Sequence, residues 1–489
     1  VMSVLSTSVC SRVCRTVSKN NLISKRLLSR SNSFIHNSGQ VTRSQRLRVQ
    51  ERLGACNSSA SDEDLITTLK ARGLFDSCTD ETSLAEALQK PLKVYCGFDP
   101  TADSLHLGNL LGIVVLSWFQ RKGHRPIILV GGATGRVGDP SGKSQERPLL
   151  DEATLSTNVA AISNSVLRIL TRAASNPAVV VLDNYDWFRN ITLLDFLRDV
   201  GKYARLGNML SKDSVKSRLD GGVGLSFTEF SYQLLQGYDF MHLFRNECVS
   251  VQIGGSDQWG NITAGTELVR RVLREEGAYG LTFPLLLKSD GTKFGKSASG
   301  AIWLSKEKLS PYHFYQYLLN TADGDVIRLL RMLTFLSLDE IASIEGSMAE
   351  AGYIPNTAQQ ILAAEVTRFV HGQDGLDEAI RATESLRPGT ETVLDAAALE
   401  LASDTIPSVA ISRVAVVDNL VTDVVVVSGL LESKGAAKRM LRNGGIRVNN
   451  NKVTDETRTI VEGDIIGDNM LLLAAGKKNK LLIRLDERE

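Results

Sequence analysis

The chain contains no uninterrupted apolar run of about eighteen residues, the least that a membrane-spanning helix needs, so no membrane span is expected. Cysteine is scarce: Cys10, Cys14, Cys56, Cys78, Cys96 and Cys248 are scattered without a single CxxC spacing. That excludes a disulfide framework and gives no ground for a structural zinc site. The formal net charge is only +1, so any nucleic-acid partner must be met by local basic patches and not by a global field. Acidic residues are missing altogether before Glu51, while Arg12, Arg15, Lys19, Lys25, Arg26, Arg30, Arg43, Arg46 and Arg48 stand among many serines. A basic, serine-rich, acid-free leader is the composition of an organelle transit peptide, and without a compact apolar stretch it is a poor secretory signal. The other reading is a basic arm that touches RNA. Residues 1–55 are therefore set outside the expected fold.

What is present is a long globular chain. Its 489 residues are 43% hydrophobic and 23% charged, enough for about three domains at roughly 150 residues each. Folded sequence is expected from Ser61, where 61–64 reads as a capping-box start and Gly73 as the stop of a short helix. From Leu92 onward, strand-like and helix-like stretches alternate: strands at 126–130, 179–182 and 249–253, helices at 107–119 and 149–170, and an apolar run at 281–287. Such alternation implies an α/β fold, a Rossmann-like doubly wound parallel sheet whose ligands sit at the carboxyl ends of the strands. Residues 56–305 are expected to form this domain, 306–395 an α-helical domain, 396–414 a linker with a short helix, and 415–489 a small α+β unit.

Five stretches carry chemistry. Residues 95–109 lead from a strand through Gly97, Asp99, Pro100 and Thr101 to His106 and Gly108, where a helix begins. A helix N-terminus offers unpaired N–H groups to an anion, and Gly108 lets a ring or phosphate lie against the backbone. Residues 131–143 follow the next strand with five glycines before Lys143. Asp139 there suits an ammonium group, while Lys143 and Arg147 suit phosphates. This is not a P-loop, because no glycine stands at the required distance before Gly142-Lys143-Ser144 and Pro140 intervenes. On a helix over 227–239, Tyr232, Gln236 and Asp239 share one face, a polar stripe suited to a small-ligand pocket. Residues 251–259 repeat the strand-to-glycine turn, with Gln252 on the strand and Gly255, Asp257 and Gln258 placed for a ribose or base edge. Lys293 and Lys296 in 290–297 form a cationic clamp suited to a departing pyrophosphate. Taken singly, each stretch also reads as an ordinary connection or a solvated face.

Together these stretches resemble the class I aminoacyl-tRNA synthetases, specifically the bacterial and organellar tyrosyl-tRNA synthetases. His106-Leu-Gly-Asn109 is similar to the HIGH signature, and Lys293-Phe-Gly-Lys-Ser297 to the KMSKS signature. The resemblance implies activation of tyrosine with ATP and Mg²⁺, transfer to tRNA, and a homodimer. It implies that Tyr95 and Asp239 meet the substrate's phenolic hydroxyl. Asp139, Tyr232 and Gln236 would hold its ammonium, with Gln252 nearby. Thr101, His106, Asn109, Lys143, Arg147, Lys293, Lys296 and Ser297 would act at the phosphates. Gly97, Asp99, Gly108, Gly255, Asp257 and Gln258 would line the ATP site. Asn109 departs from the second histidine of the signature and cannot be cationic; Phe294-Gly295 replaces Met-Ser and keeps both lysines.

In the C-terminal unit, Lys434, Lys438, Arg439 and Arg442 lie on one expected helix ended by Gly444-Gly445, followed by a hairpin through Asn449 and Asn451. A basic helix beside a polar hairpin suits phosphate tracking. It resembles the small RNA-binding domain that bacterial-type tyrosyl enzymes carry. Two other functions stay open at this point: a related synthetase for another small acid such as tryptophan, and a non-catalytic RNA-binding protein that keeps the synthetase fold. The leader leaves mitochondrion and plastid both open.

Overall fold

The computed structural model describes residues 64–142, 148, 150–173, 178–222, 224–292, 294–297, 300–386, 394–403, 406–476 and 479–486. The leader, Lys143, Arg147 and Lys293 lie outside them, as do the side chains of Lys296 and Ser297.

Helix α1 (Leu65–Ala71) opens the described fold. Its N-cap is Asp64, whose carboxylate accepts from Thr67 N at 2.9 Å; Ser61, from which the capping box is expected, lies outside the described residues. Then come β1 (Ser77–Cys78), α2 (Glu81–Ala87), β2 (Lys93–Phe98), α3 (Leu107–Arg121), β3 (Arg125–Val130), α4 (Glu152–Ala173) and β4 (Val180–Asp183). Short helices occupy much of 185–220, and α5 (Phe227–Glu247), β5 (Val249–Gly255), α6 (Trp259–Leu268) and β6 (Tyr279–Phe283) complete the half that holds the parallel sheet.

The strand order is β1-β6-β5-β2-β3-β4, parallel except for the antiparallel edge strand β1. The chain winds outward from β2 to β4, then returns to the other side of β2 for β5. The reversal leaves a crevice at the carboxyl ends of β2 and β5, where ligands of open parallel sheets bind. Strands β2 and β3 are almost wholly buried because α3, apolar nearly all round, covers one face of the sheet.

A two-stranded hairpin, β7 (Lys296–Ser297) and β8 (Gly300–Ala301), leads into α7 (Pro311–Leu319), α8 (Asp323–Leu333), α9 (Leu338–Met348) and α10 (Thr357–Ser385), which is kinked at Gly372. Arg72 ties this helical domain to α1 by donating to the carbonyls of Thr334 and Leu336 at the end of α8.

The last unit holds α11 (Ala396–Ala402), β9 (Ser408–Ser412), α12 (Val421–Val427), α13 (Lys434–Arg442), β10 (Ile446–Val448), β11 (Asn451–Lys452), β12 (Met470–Ala475) and β13 (Asn479–Asp486). Their sheet order is β11-β10-β12-β13-β9. The stretch expected as a linker is therefore structured: β9 pairs in parallel with β13 from Ser408 to Ser412. Helix α11 sends Ala398, Leu399 and Ala402 into an apolar seam with Leu386, Met470 and Leu482. Among the described residues no helix is long and apolar enough to cross a membrane.

Candidate active site

A cavity of about 510 Å³ opens at the carboxyl ends of β2 and β5. Tyr95, Gly97, Asp99, Thr101, His106, Gly108, Asn109, Asp139, Tyr232, Gln236, Asp239, Gln252, Gly255, Asp257 and Gln258 all line it. These residues come from stretches up to 163 positions apart, counted from Tyr95 to Gln258. The fold gathers every residue that the resemblance assigns to tyrosine or ATP except Lys296, whose side chain lies outside the described residues.

The innermost wall is built for a hydroxyl. Tyr95 on β2 is register partner of Gln252 on β5, and both are buried. The Tyr95 hydroxyl and the Gln252 amide oxygen have no hydrogen-bond partner among the described residues. Buried polar atoms left without partners are costly, so a polar ligand group is the natural complement here. Asp239, on the buried face of α5, completes the wall. Its Oδ1 accepts from the Trp187 indole at 2.9 Å and its Oδ2 from Asn184 Nδ2 at 3.0 Å. Burial pushes the Asp239 carboxyl up to about 8, while these two donors pull the other way. Burial, with Asp239 beside it, also raises the Tyr95 hydroxyl well above its ordinary value.

The wall one to two turns back along α5 is suited to a cation. Tyr232 donates its hydroxyl to Asp99 Oδ2 at 2.8 Å, and Thr134 donates to Asp99 Oδ1 at 2.8 Å. Asp139 accepts from Ser141 N at 2.9 Å and from Gln258 Nε2 at 2.8 Å. Asn261 donates to Gln236 Oε1 at 3.0 Å. Two carboxylates, a phenol and an amide oxygen thus converge on one side of the cavity. Asp99 and Gln258, assigned to ATP by the resemblance, here brace the ammonium-type residues Tyr232 and Asp139. The reason is topological: the turns after β2 and β5 meet the α5 stripe at the same crevice.

The end expected to meet an anion is the start of α3, where the N–H groups of Leu107, Gly108 and Asn109, expected to be unpaired, already donate within the protein. His106 is its N-cap, and the imidazole Nδ1 accepts from Gly108 N at 3.1 Å. A neutral ring that accepts at Nδ1 carries its proton on Nε2 and is a donor there. Asn109 reciprocates through Oδ1, which accepts from His106 N at 3.1 Å. Its Nδ2 retains the two donors that a phosphate or ribose oxygen needs. Gly108 is required by this cap, because a Cβ there would lie 2.9 Å from His106 Cε1. The lysine-bearing loop is drawn to the same point: Leu107 N donates to Ile302 O at 2.8 Å, and Ile302 N donates to Gly295 O at 2.9 Å.

Sequence reasoning missed Asn184, Trp187 and Thr134. Each is an ordinary polar or aromatic residue in a turn or short helix, and only the adjacency of β3 and β4 brings them behind Asp239. The four cations of α13 are exposed around a buried Ala437 and Leu441. Lys434 pairs with Asp423 at 2.9 Å and Arg442 with Glu456 at 2.5 Å. Among the described residues no group of three His, Cys, Asp or Glu could hold a metal ion.

Comparisons with known proteins agree with this geometry. Residues 86–386 match the family of class I tRNA synthetases for tryptophan and tyrosine, and 398–483 match the tyrosine–tRNA ligase SYY-like C-terminal domain. The chain is 57% identical over 437 residues to the chloroplastic/mitochondrial tyrosine–tRNA ligase of Arabidopsis thaliana, covering 88% of this chain and 85% of that protein. It is 53% identical to the tyrosine–tRNA ligase of Protochlamydia amoebophila, covering 87% of this chain and 99% of that protein. A C-terminally truncated mitochondrial tyrosyl-tRNA synthetase from Aspergillus nidulans superposes with a TM-score of 0.58 at 31% identity, over 69% of this chain and 96% of that structure. The chain belongs to the tyrosine–tRNA ligase family of class I aminoacyl-tRNA synthetases.

Proposed function

We propose that the protein activates L-tyrosine with ATP and transfers the tyrosyl group to the terminal ribose of a tyrosine tRNA. The observation that carries this is the orphaned Tyr95 hydroxyl beside Asp239 at the closed end of the cavity. A phenolic hydroxyl both accepts and donates, so it satisfies Tyr95 and Asp239 at once. Phenylalanine would leave Tyr95 without a partner and give Asp239 no donor beyond Asn184 and Trp187, and an indole N–H would donate to Asp239 but offer nothing to Tyr95.

With the phenol seated there, the ammonium falls to Asp99, Asp139, Tyr232 and Gln236, and the carboxylate is left facing the phosphates. That carboxylate is the nucleophile. Its oxygen bonds to the α-phosphorus of ATP as the bond to the β-phosphate oxygen breaks, giving tyrosyl-adenylate and pyrophosphate. No protein nucleophile is needed, so catalysis rests on positioning and charge stabilisation. His106 and Asn109 serve as neutral donors and the α3 N-terminus as a dipole end. Lys143, Arg147, Lys293 and Lys296 are assigned to the phosphates by their places in the sequence, with Thr101 and Ser297 beside them. Mg²⁺ enters with the triphosphate as part of the substrate and shares its charge. In the second step a hydroxyl of the tRNA's terminal ribose attacks the tyrosyl carbonyl and AMP leaves.

The exposed cations of α13 suit the tRNA backbone. Dimer formation is supported by large apolar side chains left in solvent: Leu193 is 70% exposed, Leu194 77% and Phe227 76%. An organellar home, the mitochondrial matrix or alternatively a plastid, follows from the acid-free basic leader and the organellar relatives. Charging of total organellar tRNA with labelled tyrosine by the full chain tests the reading. Label recovered as an alkali-labile ester on tyrosine tRNA supports it, and adenylate formation without any charging would contradict the second step.

A further inference from the structure

We propose that Tyr317, on the helical domain, is a positioning residue for the lysine-bearing loop, acting through Gly295. This rests on the adenylation reading above. Tyr317 lies on α7, outside the parallel sheet and away from the motif stretches. Its hydroxyl nevertheless accepts from Gly295 N at 3.0 Å. Its ring meets the Phe294 ring edge-on, with centroids 5.4 Å apart and planes at 64°. Phe294 is itself buried, and its N–H donates to Leu286 O at 2.9 Å. Burial of Tyr317 raises its phenol above the ordinary value, so it remains a neutral hydroxyl at working pH.

The consequence lies on the other side of Gly295. This residue takes φ +97°, and a Cβ on it would come within 3.1 Å of Leu107 Cβ and 3.3 Å of Gly108 N. The loop backbone therefore crosses directly against the first turn of α3, which is the end expected to meet an anion. Tyr317 thus holds the Gly295 N–H, while Leu107 and Gly108 leave little room for a side chain on the same residue. Lys296 follows Gly295 in the chain, and its backbone is paired with Ala301. Fixing the Phe294–Gly295 peptide thus fixes where the backbone of Lys296 leaves the crossing. The reaction needs the α3 terminus and the loop lysines to meet one triphosphate, and small misplacements of such groups lower rate more than affinity.

Tyr317→Phe keeps the ring contact and removes only the acceptor. In tyrosine-dependent ATP–pyrophosphate exchange by the full chain, it should lower kcat roughly tenfold, the loss expected for one buried hydrogen bond. The tyrosine KM should stay at the wild-type value, since the tyrosine cavity does not change, and the melting temperature should fall by at most a few degrees, the cost of one lost hydrogen bond with the ring packing kept. Tyr317→Leu, which also removes the ring contact, should lower kcat further. If Tyr317→Phe exchanges at the wild-type kcat, or loses rate only in step with tyrosine KM or melting temperature, the positioning role is wrong. Wild-type protein is measured in parallel, and absence of exchange there would overturn the adenylation reading and this inference with it.

Discussion

The tyrosine cavity and the basic helix α13 both recognise by charge and hydrogen bonding, yet they are built on opposite terms. In the cavity the carboxylates are buried or half-buried and each is held by others: Asp239 by Asn184 and Trp187, Asp99 by Tyr232 and Thr134, Asp139 by Ser141 and Gln258. On α13 the cations stand in solvent, and two of them rest on exchangeable carboxylate partners. Buried groups give discrimination, because a missing partner costs the full desolvation of whatever is left behind. Exposed cations give graded, salt-dependent attraction with little discrimination. In the proposed function the first chooses the amino acid and the second holds a polyanion.

The comparison breaks most severely at Asp239. Asp239→Ala removes the acceptor and strands Asn184 and Trp187, so kcat/KM for tyrosine in pyrophosphate exchange should fall about a hundredfold or more. A loss below about tenfold would show that the closed end does not read the hydroxyl. Tyr95→Phe is milder, because Asp239 still accepts from the substrate. It should lower the preference for tyrosine over phenylalanine roughly tenfold, read from the ratio of their kcat/KM values.

The same carboxylate sharpens the comparison through pH. Its value in the unliganded protein is pushed up to about 8 by burial. A bound hydroxyl that donates to it favours the ionised form, so the bound-state value lies lower. Affinity for tyrosine is then fully present above pH 8 and lost as the pH falls through that value. Equilibrium binding between pH 6 and 8 should strengthen with pH. Trp187→Phe removes a donor that favours ionisation, which should move the rise to higher pH; a flat profile in both proteins would contradict the assignment.

The smallest effect belongs to α13. Lys438→Ala should weaken tRNA binding a few-fold and reduce the slope of affinity against salt by about one, with tyrosine activation unchanged. Arg442→Ala should cost less, since its guanidinium already rests on Glu456. An unaltered salt slope in Lys438→Ala would remove this helix from the RNA surface.

How far this was legible in the sequence follows from where each group sits. The motif residues lie in glycine- and proline-rich turns at strand ends, where composition betrays them: Gly108 beside His106, Asp139 in its glycine run, the two lysines around Phe294-Gly295. The α5 stripe was readable because Tyr232, Gln236 and Asp239 obey a helical period. Asn184, Trp187 and Thr134 obey no period with the groups they support, and they become neighbours only through strand order. Tyr317 was hidden more deeply still, since its partner is a backbone N–H in another domain. The strand Ser408–Ser412 escaped because its pairing partner, β13, lies about seventy residues downstream and parallel sheets leave no hairpin turn to announce them.

The most direct test is ATP–pyrophosphate exchange by the full chain with tyrosine, phenylalanine and tryptophan side by side. Exchange with tyrosine, and next to none with the other two, is what a cavity closed by Tyr95 and Asp239 demands. Equal exchange with phenylalanine would mean that the orphaned hydroxyl and its carboxylate neighbour do not select the substrate.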